Sequence, residues 1–261
     1  MTGVTAITLT RYRPIEVLRA MRSVRAQQVG VPVEHLVLID DNPEIEEALA
    51  PVVGGFPDCT VRYVPREPGE VSGPGRASRL RNLGVQLAAH PWVAFLDDDN
   101  EWTEDHLASL LDLAERSGSR AVYCEVALLT VTGDPYLEPR WPWAGSRQEA
   151  EERYRRYVEQ GVCVPGSNVI HDRPDVHDVP VDSSAWLLSR DLLLDVPFTD
   201  RFSADDARDL VSEDDKLFYE LRGRGERLAC TGRPTLRYYL GGYSNSRETV
   251  HRPEDIAWSS E

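Results

Sequence analysis

Apolar positions along the chain alternate between a strand rhythm and a helix rhythm. Val4–Thr10 is a β-rich apolar run that predicts a first strand. Residues 11–14 break it, and Pro14 is placed to open a helix, where its fixed φ and missing N–H are tolerated. Val17, Leu18, Met21 and Val24 then share one helical face. Residues 36–39 are continuously apolar, as in a strand covered on both sides, and the run stops at Asp40, Asp41 and Asn42. A polar helix and a third strand over residues 61–64 are expected next. After a loop rich in Pro, Gly and Glu over residues 65–75, Leu80, Leu83 and Leu87 keep helical spacing. Residues 92–96 read as another buried strand, closed by Asp97, Asp98 and Asp99. Thr103, with Glu104 and Asp105 behind it, predicts a capped helix whose apolar face is Leu107, Leu110, Leu111 and Ala114.

This alternation predicts an α/β fold: a mixed, mostly parallel, Rossmann-like sheet flanked by helices. The polar clusters fall directly after apolar strands, the edge at which open α/β sheets bind ligands. The second half is less regular. Residues 121–130, 184–188 and 235–240 read as strands, and residues 149–160 and 213–221 as helices. Residues 133–181 are broken and rich in Pro, Trp, Arg and Glu. No repeat or linker divides the chain, so residues 1–115 and 116–261 read as two halves of one domain.

Composition narrows the function classes. With 44 acidic against 29 basic residues the formal charge is −15, which disfavours a broad grip on nucleic acid or on an anionic membrane. No run of apolar residues is long enough to span a bilayer and no leader pattern is visible, so a cytoplasmic protein without integral membrane contact is expected. Cys59, Cys124, Cys163 and Cys230 are scattered, which suits reduced thiols better than a disulfide or zinc framework. His171 and His177 flank Asp172 but match no zinc spacing, and no Walker loop, GxSxG, HExxH or GxGxxG occurs.

Four clusters carry candidate chemistry. Asp97-Asp98-Asp99 puts three mutually repelling carboxylates at a strand end, which suits a hard divalent ion; the ordinary reading is an acidic turn capping the next helix. Arg76, Arg79 and Arg81 crowd a helix start in an acidic protein, a phosphate-binding arrangement if they are not simply surface ion pairs. Asp40 and Asp41 can accept hydrogen bonds from a ribose or a base edge, or form an Asx turn. Glu213-Asp214-Asp215 at a helix start offers a general base, or only a helix cap.

Their order is more specific than any one of them. A strand ending in Asp40-Asp41, then Arg81-Asn82-Leu83-Gly84, then Phe95-Leu96-Asp97-Asp98-Asp99, then Glu213-Asp214 before a helix, resembles the nucleotide-sugar glycosyltransferases of family 2, which have the GT-A fold. Phe198-Thr199-Asp200-Arg201-Phe202 before the acidic cluster and Leu221-Arg222-Gly223-Arg224-Gly225 after it extend the likeness. The resemblance implies an inverting, metal-dependent transferase moving a sugar from a UDP-, GDP- or dTDP-linked donor to an acceptor hydroxyl. By position, Thr8, Thr10, Arg11, Asp40 and Asp41 would lie at the nucleoside and Arg81 near the diphosphate. Asp97, Asp98 and Asp99 would form the DxD region, with Asp97 and Asp99 holding Mn²⁺ or Mg²⁺. Asp214 would be the catalytic base, with Asp215 its rival and Glu213 beside them, because the acid triplet leaves the register open by one. The halves would bind donor and acceptor respectively.

Many relatives place a histidine late in the domain as a further metal ligand. Residues 237–244 hold none here, which leaves His171 or His251 as substitutes or a more weakly held metal. Acceptor choice is expected in residues 133–181, where Trp141 and Trp143 either stack on the acceptor or pack against a Pro-rich loop. The acceptor would be a saccharide, a lipid-linked sugar or a small natural product. The competing readings are a nucleotidyltransferase, disfavoured because residues 8–12 contain no glycine for a phosphate loop, and a non-catalytic nucleotide-sugar or carbohydrate binder. The oligomeric state stays open, a homodimer included.

Overall fold

The computed structural model describes residues 2–70, 73–173, 176 and 179–242. His177, His251 and residues 243–244 of the late segment lie outside the described residues. Val4–Thr10 (β1), Val33–Asp40 (β2), Cys59–Val64 (β3) and Trp92–Phe95 (β4) are parallel and lie in the order β3-β2-β1-β4. Their crossovers are Pro14–Arg25 (α1), Pro43–Leu49 (α2) and Pro74–Leu87 (α3), each with proline in its first turn.

Glu101–Trp102 (β5), His106–Ser117 (α4), Ala121–Leu129 (β6), Arg147–Glu159 (α5) and Val169–Ile170 (β7) follow. Trp186–Ser189 (β8), Arg190–Asp195 (α6), Ala204–Arg208 (α7), Glu213–Gly223 (α8) and Leu228–Tyr239 (β9) complete the described elements. Beyond β4 the sheet runs β8-β6-β9-β5: β8 is antiparallel to both neighbours, β6 and β9 are parallel, and β5 is antiparallel to β9. The expected mixed, mostly parallel sheet is therefore observed.

One core packs α3, α6 and α8 on the sheet through Ile7, Phe95, Leu188, Leu192 and Phe218. The opposite face is covered by α1 and α4 through Ala20, Val24, Leu107 and Leu110. Gly84 is the contact point between α3 and β1: a Cβ there would stand 2.8 Å from Ile7 Cγ2, so the helix lies this close because the residue has no side chain.

Three boundaries differ from expectation. The helix assigned to Thr103 begins at His106, because Thr103 still extends the sheet through its N–H to Thr235 O at 2.9 Å, and its hydroxyl donates to the Asp105 carboxylate at 2.6 Å. The strand expected over residues 184–188 begins at Trp186, because Ser183–Ala185 forms a 3-10 turn capped by Asp182 Oδ1 on the Ser184 N–H at 2.8 Å. The strand expected over residues 235–240 is the second part of the longer β9, whose first part is disguised by Gly232 at φ +64° and an irregular register against β6. The short β5, β7, α6 and α7 had no repeat long enough to read.

Candidate active site

A long cleft crosses the edge of the sheet where the parallel strands end, lined by Thr10, Arg11, Asp40, Arg81, Asp97–Asp99, Asp182 and Glu213–Asp215 among others. The apolar β4 must end there because the next three side chains cannot enter the core uncompensated. The three carboxylates part company. Asp97 is the most open and accepts from Arg81 Nη2 at 3.0 Å. Asp98 and Asp99 share Arg13, whose Nη1 lies 2.9 Å from Asp98 Oδ1 and 2.8 Å from Asp99 Oδ2. Burial raises the Asp98 carboxyl above the usual range, with Arg13 and Thr10 opposing. Burial and the Asp98 charge push Asp99 up to about 8 against the same guanidinium.

The second acid triplet also divides, by helix geometry. Asp215 is spent on its own helix: its N–H donates to Ser212 Oγ at 3.1 Å and its Oδ2 accepts the Ser212 N–H at 2.7 Å, a closed capping box. Glu213 accepts from Arg81 Nη1. Asp214 turns into the cleft, with Oδ2 accepting the Ser183 N–H at 3.1 Å and Oδ1 buried with no hydrogen-bond partner. Burial raises its carboxyl well above the usual range; Arg81, 3.9 Å from Oδ1, opposes this, while Glu213, Asp182 and Asp97 add to it.

Arg81 joins the two clusters, although Glu213 stands 132 positions away from it. It is buried, donates to Ser183 Oγ at 2.7 Å, and lies over the rings of Phe95 and Phe198. Burial opposes its charge, but Glu213, Asp214 and Asp97 outweigh that and hold it protonated. The helix-start arginines are thus committed to carboxylates. Arg76 is buried between Asp40, at 2.9 Å, and Glu70, at 3.0 Å, and Arg79 reaches Glu70 and Asp200.

The remaining expected residues separate. Asp40 lines the cleft, gripped by Arg76 and by Arg66 at 2.5 Å. Thr10 and Arg11 also line it. Two expected residues do not reach it. Thr8 lies back from the strand end, where its Oγ1 is 2.9 Å from His35 Nε2 on the adjoining β2 and it has no exposed surface. Asp41 sits in a left-handed turn at φ +49° and accepts from Tyr63 OH at 2.8 Å, a bond that holds its carboxyl below the usual range. That is the turn reading of the pair Asp40-Asp41.

Trp141 is buried against Tyr157, with ring centroids 4.5 Å apart, and Trp143 stands edge-on to Tyr238 at 5.2 Å, so both tryptophans are packed by the protein and also line the cleft. His171 pairs with Glu125 at 3.2 Å. Among the described residues no three His, Cys, Asp or Glu side chains are grouped as a metal centre. A Mg²⁺ or Mn²⁺ ion needs fewer: one or two carboxylates suffice when diphosphate oxygens and water complete the shell. The surroundings of Asp99 suit such an ion on two observations, while Asp97 stands against Arg81. The Arg13 cation already stands against Asp98 and Asp99, and Gly242 passes so close that a Cβ there would lie 2.7 Å from Asp99 Oδ2.

The sequence pattern of glycosyl transferase family 2 matches residues 5–175. This chain belongs to glycosyl transferase family 2. Among the relatives of this family 2 chain, the succinoglycan biosynthesis protein ExoO of Rhizobium meliloti (strain 1021) is 31% identical over 117 residues, 45% of this chain and 31% of that protein. The amylovoran biosynthesis glycosyltransferase AmsB of Erwinia amylovora is 23% identical over 231 residues, 86% of this chain and 65% of that protein. The chain thus spans less than two thirds of the length of either. Of solved structures, S. aureus TarS with UDP-GlcNAc superposes at TM-score 0.59 and 14% identity, over 98% of this chain and 63% of that one. The mannosyltransferase PcManGT of Pyrobaculum calidifontis, with GDP-Man and Mn²⁺, gives TM-score 0.59 and 15% identity over 93% of this chain and 58% of that one. The fold is GT-A.

Three site features of the family 2 chain were not singled out from its sequence. Arg13 lay in the break after β1, read only as a break. Arg66 sat in a loop. Asp182, Ser183 and Ser184 precede an apolar strand, whereas the ligand edge was sought after strands; β8 runs antiparallel to β4, so its start lies beside the end of β4. The signal was there as a polar triplet abutting a buried strand. Only the strand direction turns it into a site feature. Burial and the nearby Asp97 charge push Asp182 up to about 7.

Proposed function

We propose that this chain transfers a sugar from a nucleoside-diphosphate donor to an acceptor hydroxyl, inverting the anomeric carbon, with Mg²⁺ or Mn²⁺ at Asp97 and Asp99. The observation that carries this reading is Asp214: a buried carboxylate in the cleft, fixed through Oδ2, with Oδ1 left without a hydrogen-bond partner. A carboxyl of raised proton affinity suits a general base working near neutral pH. Asp214 takes the acceptor proton as the acceptor oxygen bonds to the anomeric carbon; the bond from that carbon to the diphosphate oxygen breaks, and its electrons leave with the nucleotide. A single displacement of this kind inverts the centre. The divalent ion, when bound, supplies positive charge against the leaving diphosphate. Thr10, Arg11 and Asp40 border the nucleoside end. Arg81 keeps Glu213 and Asp97 compensated, so that Asp214 is the reactive acid of its triplet.

In this reading residues 1–115 serve the donor, and residues 116–261, Trp143 among them, serve a saccharide, lipid-linked sugar or small natural-product acceptor. The test is thermal shift with UDP, GDP and dTDP, with and without Mn²⁺, followed by nucleotide release from UDP-GlcNAc and GDP-mannose. Stabilisation by one nucleotide that grows with Mn²⁺, together with release, is the expected result. Stabilisation with no release from any donor identifies a binding protein and overturns the transferase reading.

A further inference from the structure

We propose that the turn over residues 182–184 is the positioning device of this site, and that the backbone N–H of Ser183 holds the Asp214 carboxylate in the orientation in which it takes the acceptor's proton. This rests on the reading of Asp214 as the base. Both serines of the turn are buried and make contacts to four separate parts of the fold. Ser183 gives its N–H to Asp214 Oδ2 at 3.1 Å and accepts Arg81 Nη2 on its Oγ at 2.7 Å. Ser184 accepts the Asp97 N–H on its Oγ at 3.1 Å and Trp102 Nε1 on its carbonyl at 2.8 Å. The start of α8, the fork from α3, the end of β4 and β5 are therefore referenced to two adjacent residues.

The two oxygens of Asp214 are made unequal by this turn. An N–H donor on Oδ2 stabilises the negative charge of the carboxylate and restricts its rotation. Oδ1 has no donor and is itself buried, with Arg81 Nη2 3.9 Å away. The charged groups around the carboxylate are Arg81 from α3, Glu213 from its own helix, Asp97 from the end of β4 and Asp182 from the turn itself. Asp214 sits in the first turn of α8, so without the Ser183 bond its side chain would be free to rotate and exchange the two oxygens.

The backbone permits a clean test. Ser183 is the first residue of its 3-10 turn, where proline is well tolerated, and Asp182 before it is extended at φ −58°, ψ 143°, a conformation allowed ahead of proline. Ser183→Pro removes the N–H and the hydroxyl; Ser183→Ala removes the hydroxyl alone. UDP release from UDP-GlcNAc and GDP release from GDP-mannose, with Mn²⁺ present and water as acceptor, are measured for both variants and the parent. The expected result is a kcat for Ser183→Pro about 10- to 100-fold below that of Ser183→Ala, with donor KM within about twofold. Equal kcat for the two variants, or a donor KM that rises in step with the loss, would overturn the inference and leave the transferase reading standing. No release by the parent would remove both. Should Ser183→Pro not fold, replacing the same amide by an ester removes the N–H while keeping the serine side chain, and the same two outcomes decide.

Discussion

Two runs of three carboxylates line the same cleft, joined by Arg81, and they are built on different backbones. Asp97–Asp99 leaves a strand end, where neighbouring side chains diverge; one goes to Arg81, and the other two share Arg13. Glu213–Asp215 opens a helix, where successive side chains point about 100° apart. There one carboxylate pairs with Arg81, one closes the helix cap, and only Asp214 keeps a buried oxygen without a partner. The strand-end cluster collects charge that a cation can neutralise. The helix-start cluster isolates one acid and compensates the other two. The same composition can thus make a cation site or a base, according to the geometry that presents it.

The largest expected effect tests that isolation. Asp214→Asn should lower turnover by about 10²–10⁴-fold while nucleotide-induced thermal stabilisation is retained; near-normal turnover would dissolve the distinction within the helix triplet. Next comes the link between the clusters. Arg81→Gln leaves Glu213 and Asp97 buried or half-buried without their cation, and a loss of about 3–5 kcal/mol is expected in urea unfolding. The strand-end cluster is probed with the metal alone. Arg13→Gln should tighten Mn²⁺ binding by about tenfold in titration calorimetry, because the competing guanidinium is gone from Asp98 and Asp99.

A fourth test is pH. Burial and the Asp97 charge push the Asp182 carboxyl up to about 7, above the ordinary carboxylate value of about 4, so between these values the folded state holds the proton that the unfolded state has lost. Its contribution to stability therefore falls as pH rises from about 4 to about 7. Asp182→Asn should raise the urea midpoint at pH 8 relative to the parent, with little difference at pH 4. The smallest effect belongs to the cap: Asp215→Ala should leave turnover near normal and cost about 1 kcal/mol, a drop of a few degrees in Tm.

Much of this was legible along the chain. The parallel half was readable because β2 and β4 hold continuous apolar runs, β1 is β-rich and each crossover begins at proline, so pattern and backbone chemistry agree. The clefted edge was readable because Asp40 and Asp97–Asp99 fall where such runs stop. Thr8 was misplaced because it lies two residues short of the strand end, beside His35 of the paired strand, whereas Thr10 at the end lines the cleft. Asp41 was misplaced because a left-handed turn directs it to Tyr63. The turn over residues 182–184 was missed because its value depends on β8 running against β4.

The amino-acid order alone therefore determined the α/β alternation, the edge at which chemistry gathers and the residue types gathered there, since local burial and turn chemistry act over a few residues. Which of three adjacent acids is capped, paired or left with an oxygen lacking a hydrogen-bond partner was decided only by folding. Arg81, Ser183 and Asp214 come from distant parts of the chain, and hydrogen-bond partnership between them exists only once helix, strand and turn are packed together.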